Sequence, residues 1–152
     1  MQHKIEFIQT GFIELVSSLN ATKTGNWGKM NAQQMVEHIA DFFKVSTGKI
    51  VFALTTPVEH LPKYKEFLLS DKAFKENTKA PVLPEEPLAT RNSSMQNAIE
   101  ELRNEINEFS SYFEENKLKT TLHPAFGELN FDEWVLLHYK HLQHHAKQFG
   151  LI

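Results

Sequence analysis

Apolar residues recur at steps of three and four in four separate stretches of this chain, and turn-rich links divide them. The first stretch, His3 to Leu19, sets Ile5, Ile8, Phe12, Leu15 and Leu19 on one stripe. That spacing predicts an amphipathic helix, with Gly11 as its weak point. Asn20 to Lys29 is a link containing Gly25, Trp27 and Gly28, where Trp27 is expected to plug one end of the core. The second helix opens on Asn31, with Gln34 at the reciprocal position of a capping box, and its stripe runs Met35, His38, Phe42, Val45. Gly48 to Asn92 holds five of the six prolines (Pro57, Pro62, Pro81, Pro84, Pro87), which leaves room only for a short helix around Tyr64 to Leu69. The third helix begins near Ser93, with Gln96 at the box position. It repeats Met95, Leu102, Ile106, Phe109 and Phe113, with Ala98 or Ile99 filling the gap. Its charged residues, Glu100, Glu101, Arg103, Glu105 and Glu108, read as a solvated face. A turn at His123-Pro124-Ala125-Phe126-Gly127 then leads to a last helix capped by Asn130, with Glu133 at the box position.

The last helix departs from an ordinary seam. Its inward stripe is Phe131, Trp134, His138, His141, His145, Gln148, so histidine stands at three consecutive positions where leucine would serve packing better. His141 and His145 are one turn apart on one face and can converge on a single ion. His138 and His145 are separated by roughly 10 Å along the axis, too far to share one. His138 with His141 is a rival pair, so a third ligand from elsewhere must decide. His144 is rotated about 100° from His145 and reads as solvated. The second helix supplies His38, a histidine between apolar neighbours on its own seam and the natural third ligand for His141 and His145. Glu37 is off that seam and reads as solvated, while Asp41 is one turn from His38.

Four amphipathic helices with one long crossover predict an all-α four-helix bundle spanning residues 1–152 as a single domain. Short first and last links make antiparallel pairs, and the long connection lets helices two and three run the same way. The residue count suits one domain with a full core. A net charge of −3 gives no basic footprint for nucleic acid and no patch for an anionic membrane. There is no cysteine, hence no disulfide, thiolate ligand or cysteine nucleophile, and no apolar run is long enough to span a bilayer. A cytoplasmic protein is the expectation. Three neutral imidazoles suit zinc, nickel, iron or copper.

The helix with a lone histidine near its start, the long crossover, and the ending His141-Leu-Gln-His-His145-Ala-Lys-Gln148 together resemble the DinB-like superfamily. The segment His123-Pro124-Ala125-Phe126-Gly127-Glu128-Leu129, with the tryptophan of the last helix, looks closest to a bacterial branch of it. The resemblance implies an up-down-down-up bundle, commonly dimeric. It also implies a three-histidine metal site at His38, His141 and His145, with Gln148 matching the glutamine that usually follows, and the ion expected there is divalent: zinc, nickel or iron. Some relatives are thiol-dependent S-transferases or isomerases acting on small molecules with a low-molecular-weight thiol, and many have no assigned reaction. His138 and His123 are the candidates for proton transfer or leaving-group contact. Metal-dependent hydrolysis and a non-catalytic, metal-stabilised ligand binder are the alternatives.

Overall fold

The computed structural model describes residues 1–152, mostly helical with one small two-stranded sheet. Helix α1 is an α-helical run Gln2–Glu6, a π-helical turn Phe7–Gly11 and a second α-helical run Phe12–Val16. Ile8 and Phe12 of the predicted stripe are buried. Beyond the turn, however, burial passes to Ile13 and Val16, and Leu15 and Leu19 are only partly covered. A π turn takes more residues per turn than an α-helix, so the residues after it lag around the axis and the buried face shifts. Gly11 permits the turn sterically, since a β-carbon there would lie 3.1 Å from the Phe7 ring.

Helix α2, Ala32–Ser46, and helix α5, Phe131–Gln148, begin at the predicted capping boxes. Asn31 accepts from the Gln34 backbone at 2.9 Å while the Gln34 side chain accepts from the Asn31 backbone at 3.0 Å. Asn130 and Glu133 do the same for α5. Helix α4, Met95–Glu114, starts one residue later than expected, because Ser94 accepts from the Asn97 backbone. Ala98 is the residue that fills the gap in its stripe. The short helix of the crossover is α3, Leu61–Leu69.

Contacts along α2 and α4 and the residues that flank them step upward together: Glu37 meets Asn92, Lys44 meets Glu101, and Lys49 meets Glu105. The two helices therefore run side by side in one direction. Between α2 and α5 the order reverses, with His38 beside His145 and Phe43 stacked on His138. A single core of 26 buried apolar residues joins the long helices.

Three expectations are corrected. The fold is not purely helical: β1, Thr121–His123, pairs antiparallel with β2, Gly127–Leu129. The His123-Pro124-Ala125-Phe126 turn reverses the chain with Gly127 at φ +78°, and the flanking backbone groups pair with each other. Thr121 pins this hairpin to the helices, donating to the Ser46 carbonyl and accepting from the Trp134 indole, both at 2.8 Å. Nor is Glu37 solvated. It is buried and accepts from the Arg91 and Asn92 backbones, the Asn92 amide and Gln33. Burial alone would raise its carboxyl above the usual range, and these hydrogen bonds outweigh it and lower it. Nor is the charged face of α4 wholly solvated: Glu105 is buried against Lys49, and Glu101 is tied to Arg91 and Lys44. Burial opposes the ionised form of Glu101, but Arg91, Lys44 and Asn92 bring it down to about 2.

The α4 register has a direct check. Ile106 is 1% exposed in the apolar core. Ile106→Asp should therefore destabilise by more than about 4 kcal/mol, since it buries a charge with no partner. Urea denaturation measures the loss, and a stable variant would show that the register is wrong.

Candidate metal centre

The ring nitrogens of His38, His141 and His145 lie within 4.8 Å of one another. His141 Nε2 is 3.0 Å from His38 Nε2 and 2.9 Å from His145 Nε2. The i, i+4 spacing on α5 brings His141 and His145 together, and the reversed pairing of α2 with α5 sets His38 opposite both. Burial pushes His38 down to about 4 and holds His141 and His145 well below 6.5, with the neighbouring histidines adding to the effect. All three rings are therefore neutral at pH 7.

A neutral imidazole has one N–H, which limits what these contacts can be. The Gln148 amide donates to the Trp27 carbonyl at 2.8 Å, so its oxygen faces His145 Nδ1 at 2.7 Å. His145 then carries its proton on Nδ1, and its Nε2 lone pair points into the cluster. A single N–H on His141 cannot serve His145 and His38 at once. A cation resolves the conflict, and the spacing suits one: ligand bonds of about 2.0–2.1 Å separate neighbouring nitrogens by roughly 2.9–3.4 Å. The donor set thus fits a divalent ion. No further histidine or carboxylate joins the three.

Gln148 is itself held by a device that sequence reasoning missed. A β-carbon at Gly25 would lie 2.8 Å from Gln148 Cγ, and one at Gly28 would lie 2.6 Å from Gln148 Nε2. Gly28 also has φ +77°. The two glycines flanking Asn26-Trp27 let the link wrap the amide, and the Asn26 backbone donates to the Gln148 carbonyl. Their spacing was the only trace of this in the sequence.

The three rings open onto a cavity of about 1180 Å³, walled on one side by Phe42, Trp134 and Phe126 and on the other by the proline-rich part of the crossover. The crossover is tied down at several points. Thr55 and Thr56 donate to the carbonyls of Pro124 and Ala125, Lys65 pairs with Glu133 at 2.6 Å, and Lys140 donates to the Ser70 and Lys72 carbonyls. Arg91 closes its far end, with a 2.9 Å pair to Asp41.

His123 and His138 both line this cavity, outside the triad of rings. His123 Nδ1 accepts from the Ala125 and Phe126 backbones at 3.0 and 3.2 Å. His138 lies flat on Phe43, with centroids 3.8 Å apart, and against Trp134 on its other side. Its Nε2 is sealed without a hydrogen-bond partner. Burial lowers His123 to about 4 and His138 to about 3. His144 is not freely solvated: Trp27 and Phe74 flank its ring, because the glycine link and the crossover both reach over that face of α5.

A family model described as the DinB superfamily matches residues 11–149, most of the chain. Searches of curated proteins and of solved structures each returned no match.

The buried histidines set the acid limb of stability. His138 has a folded value below its unfolded value of 6.5, so the unfolded chain takes up the proton first. Stability is complete above about pH 6.5 and falls progressively toward about pH 3 for this group. Urea midpoints of metal-free protein should thus drop between pH 7.5 and pH 5, and drop less in His138→Phe. Comparing the pH differences cancels any packing cost of the new ring. An equal drop in both proteins would remove His138 from the acid limb.

Proposed function

The chain belongs to the DinB superfamily, and from that premise we propose a divalent-metal-dependent enzyme acting on a small molecule. The ligands are the Nε2 atoms of His38, His141 and His145, and the ion is zinc, nickel or iron. The observation that carries this is the three-nitrogen cluster with no fourth protein ligand, facing a cavity large enough for a substrate. A closed set of four ligands would instead favour a purely structural ion. When bound there, the ion supplies Lewis acidity that lets a water or thiol lose its proton near neutral pH.

The chain's own residues prepare the site. Gln148 holds His145 with its lone pair inward, while the Phe42 ring packs edge-on against His38 and His141. The protein has no cysteine, so the nucleophile comes from outside. Thiol-dependent transfer or isomerisation is the reading we favour, since thiolates bind borderline ions and are strong nucleophiles. Hydrolysis is the second reading, because each lysine or arginine on the cavity wall is already paired with a carboxylate and a polyanionic thiol finds no free cation. His138 can move a proton only through Nδ1, its Nε2 being sealed. The same reading includes the up-down-down-up topology, which the direction of the α2 contacts supports, and a cytoplasmic homodimer. No helix is long and apolar enough to cross a membrane.

Calorimetric titration with zinc should give about one ion per chain. His38→Ala, His141→Ala and His145→Ala should each abolish tight binding, and His144→Ala should not. Full binding by His38→Ala would sink the assignment. Gln148→Ala should retain the site with affinity lowered roughly 10- to 100-fold, as for other residues that orient a ligand. Unchanged affinity would mean that the amide does not orient His145. For the reaction, zinc-loaded protein is offered electrophiles with and without a small thiol. Turnover that needs the thiol and is lost in His141→Ala supports transfer, whereas turnover with water alone selects hydrolysis.

A further inference from the structure

The hairpin turn decides which way the His123 ring is protonated. Two backbone N–H groups, from Ala125 and Phe126, point at its Nδ1, so that atom must offer a lone pair. The neutral ring then carries its proton on Nε2. That atom has no protein acceptor, yet it is not among the sealed unpartnered atoms, which are Trp27 Nε1 and His138 Nε2. The Nε2–H therefore faces open space, and the open space that His123 lines is the cavity. The Phe42 ring neighbours both His123 and the three-histidine cluster, with centroids 6.1 Å from His123 and 4.9 Å from His141.

The charges on the cavity wall narrow what this donor can meet. Arg91 is paired with Asp41 and Glu101, Lys29 with Glu86, and Lys79 with Glu85. Glu37 adds one more carboxylate to the wall. Three cations thus face four carboxylates among the wall residues, and every cation is already engaged. Without the ion, an anionic ligand group would meet net negative charge and no unpaired protein cation. The remaining surface near His123 is aromatic: Phe42, Phe126 and Trp134 lie within 6.1 Å of its ring, centroid to centroid.

We propose that His123 is a fixed hydrogen-bond donor that selects an uncharged, largely apolar substrate bearing an acceptor oxygen, such as a ketone or amide carbonyl. This rests on reading the cavity as the substrate site, though not on the ion being present. The turn uses His123 Nδ1 permanently, so this ring acts as a donor and not as a base. Selection follows because a buried N–H left without an acceptor disfavours ligands that lack one.

The test uses three probes of one shape: acetophenone, ethylbenzene and benzoate. Binding is measured by calorimetry on full-length protein, with and without zinc. In the zinc-free protein acetophenone should bind roughly three- to tenfold more tightly than either of the others, the range of one neutral hydrogen bond. His123→Asn separates the two jobs of the ring, since the asparagine oxygen can accept the same two backbone N–H groups while its amide is too short to reach as far. The preference should vanish in that variant. Nitrogen-15 NMR of the wild-type imidazoles at pH 7 reads the tautomer directly and does not depend on the variant folding. A protonated Nε2 whose proton resonance moves on adding acetophenone supports the proposal. A protonated Nδ1, a preference that survives His123→Asn, tightest binding of benzoate by the zinc-free protein, or no binding of acetophenone would each overturn it. Zinc that still binds in any of those cases leaves the metal assignment standing.

Discussion

Three neutral imidazole nitrogens aimed at one another are an arrangement that a protein core does not tolerate for packing alone. His141 Nε2 lies within 3.0 Å of the Nε2 atoms of both His38 and His145, and Gln148 has already committed the His145 lone pair to the same point. Leucine at any of these positions would pack without that conflict. Much of the surrounding structure keeps the three rings where they are. The π turn re-aims α1 beneath α5, the capping boxes fix where α2 and α5 begin, and the hairpin pins Trp134 through Thr121. The proposed ion is the group that turns this repulsion into attraction.

The crossover is the second half of the site. It contributes no ligand, yet it encloses the space in front of them. Its fastenings are unlike at the two ends. Near the start, Thr55 and Thr56 bind neutral carbonyls of the hairpin turn. Near the end, the buried carboxylate of Glu37 collects backbone N–H groups of Arg91 and Asn92, while the Arg91 side chain reaches Asp41 and Glu101. A buried carboxylate so fully hydrogen-bonded is costly to leave unpaired, so this end of the connection is firmly placed. Glu37 adjoins His38 in sequence, and the same turn of α2 thereby holds one ring and one wall of the cavity.

What the sequence made legible was whatever depends on short spacing. Helix faces, the two capping boxes and the convergence of His141 with His145 all follow from steps of three and four, and the prolines of the crossover left room for the short helix before Leu69. His38 was legible because a histidine between apolar neighbours needs a partner. Features that depend on what arrives from far along the chain were not. Glu37 reads as solvated until Arg91 and Asn92, more than fifty residues away, close over it. His144 reads as exposed until Trp27 and Phe74 flank it. Strands of three residues carry too few alternations to show a period of two, which hid the hairpin. The Gly25 and Gly28 cradle was hidden because glycine in a link ordinarily marks only a turn, and its partner Gln148 lies at the opposite end of the chain.

The shell proposed for the divalent ion is three imidazole rings with no fourth protein ligand. X-ray absorption of the zinc-loaded protein addresses it most directly, because imidazole rings scatter in a recognisable outer-shell pattern. Three imidazoles are expected at about 2.0–2.1 Å, with the remaining position filled by a light atom from solvent. Fewer than three imidazoles, or a shell of carboxylate oxygens, would contradict it.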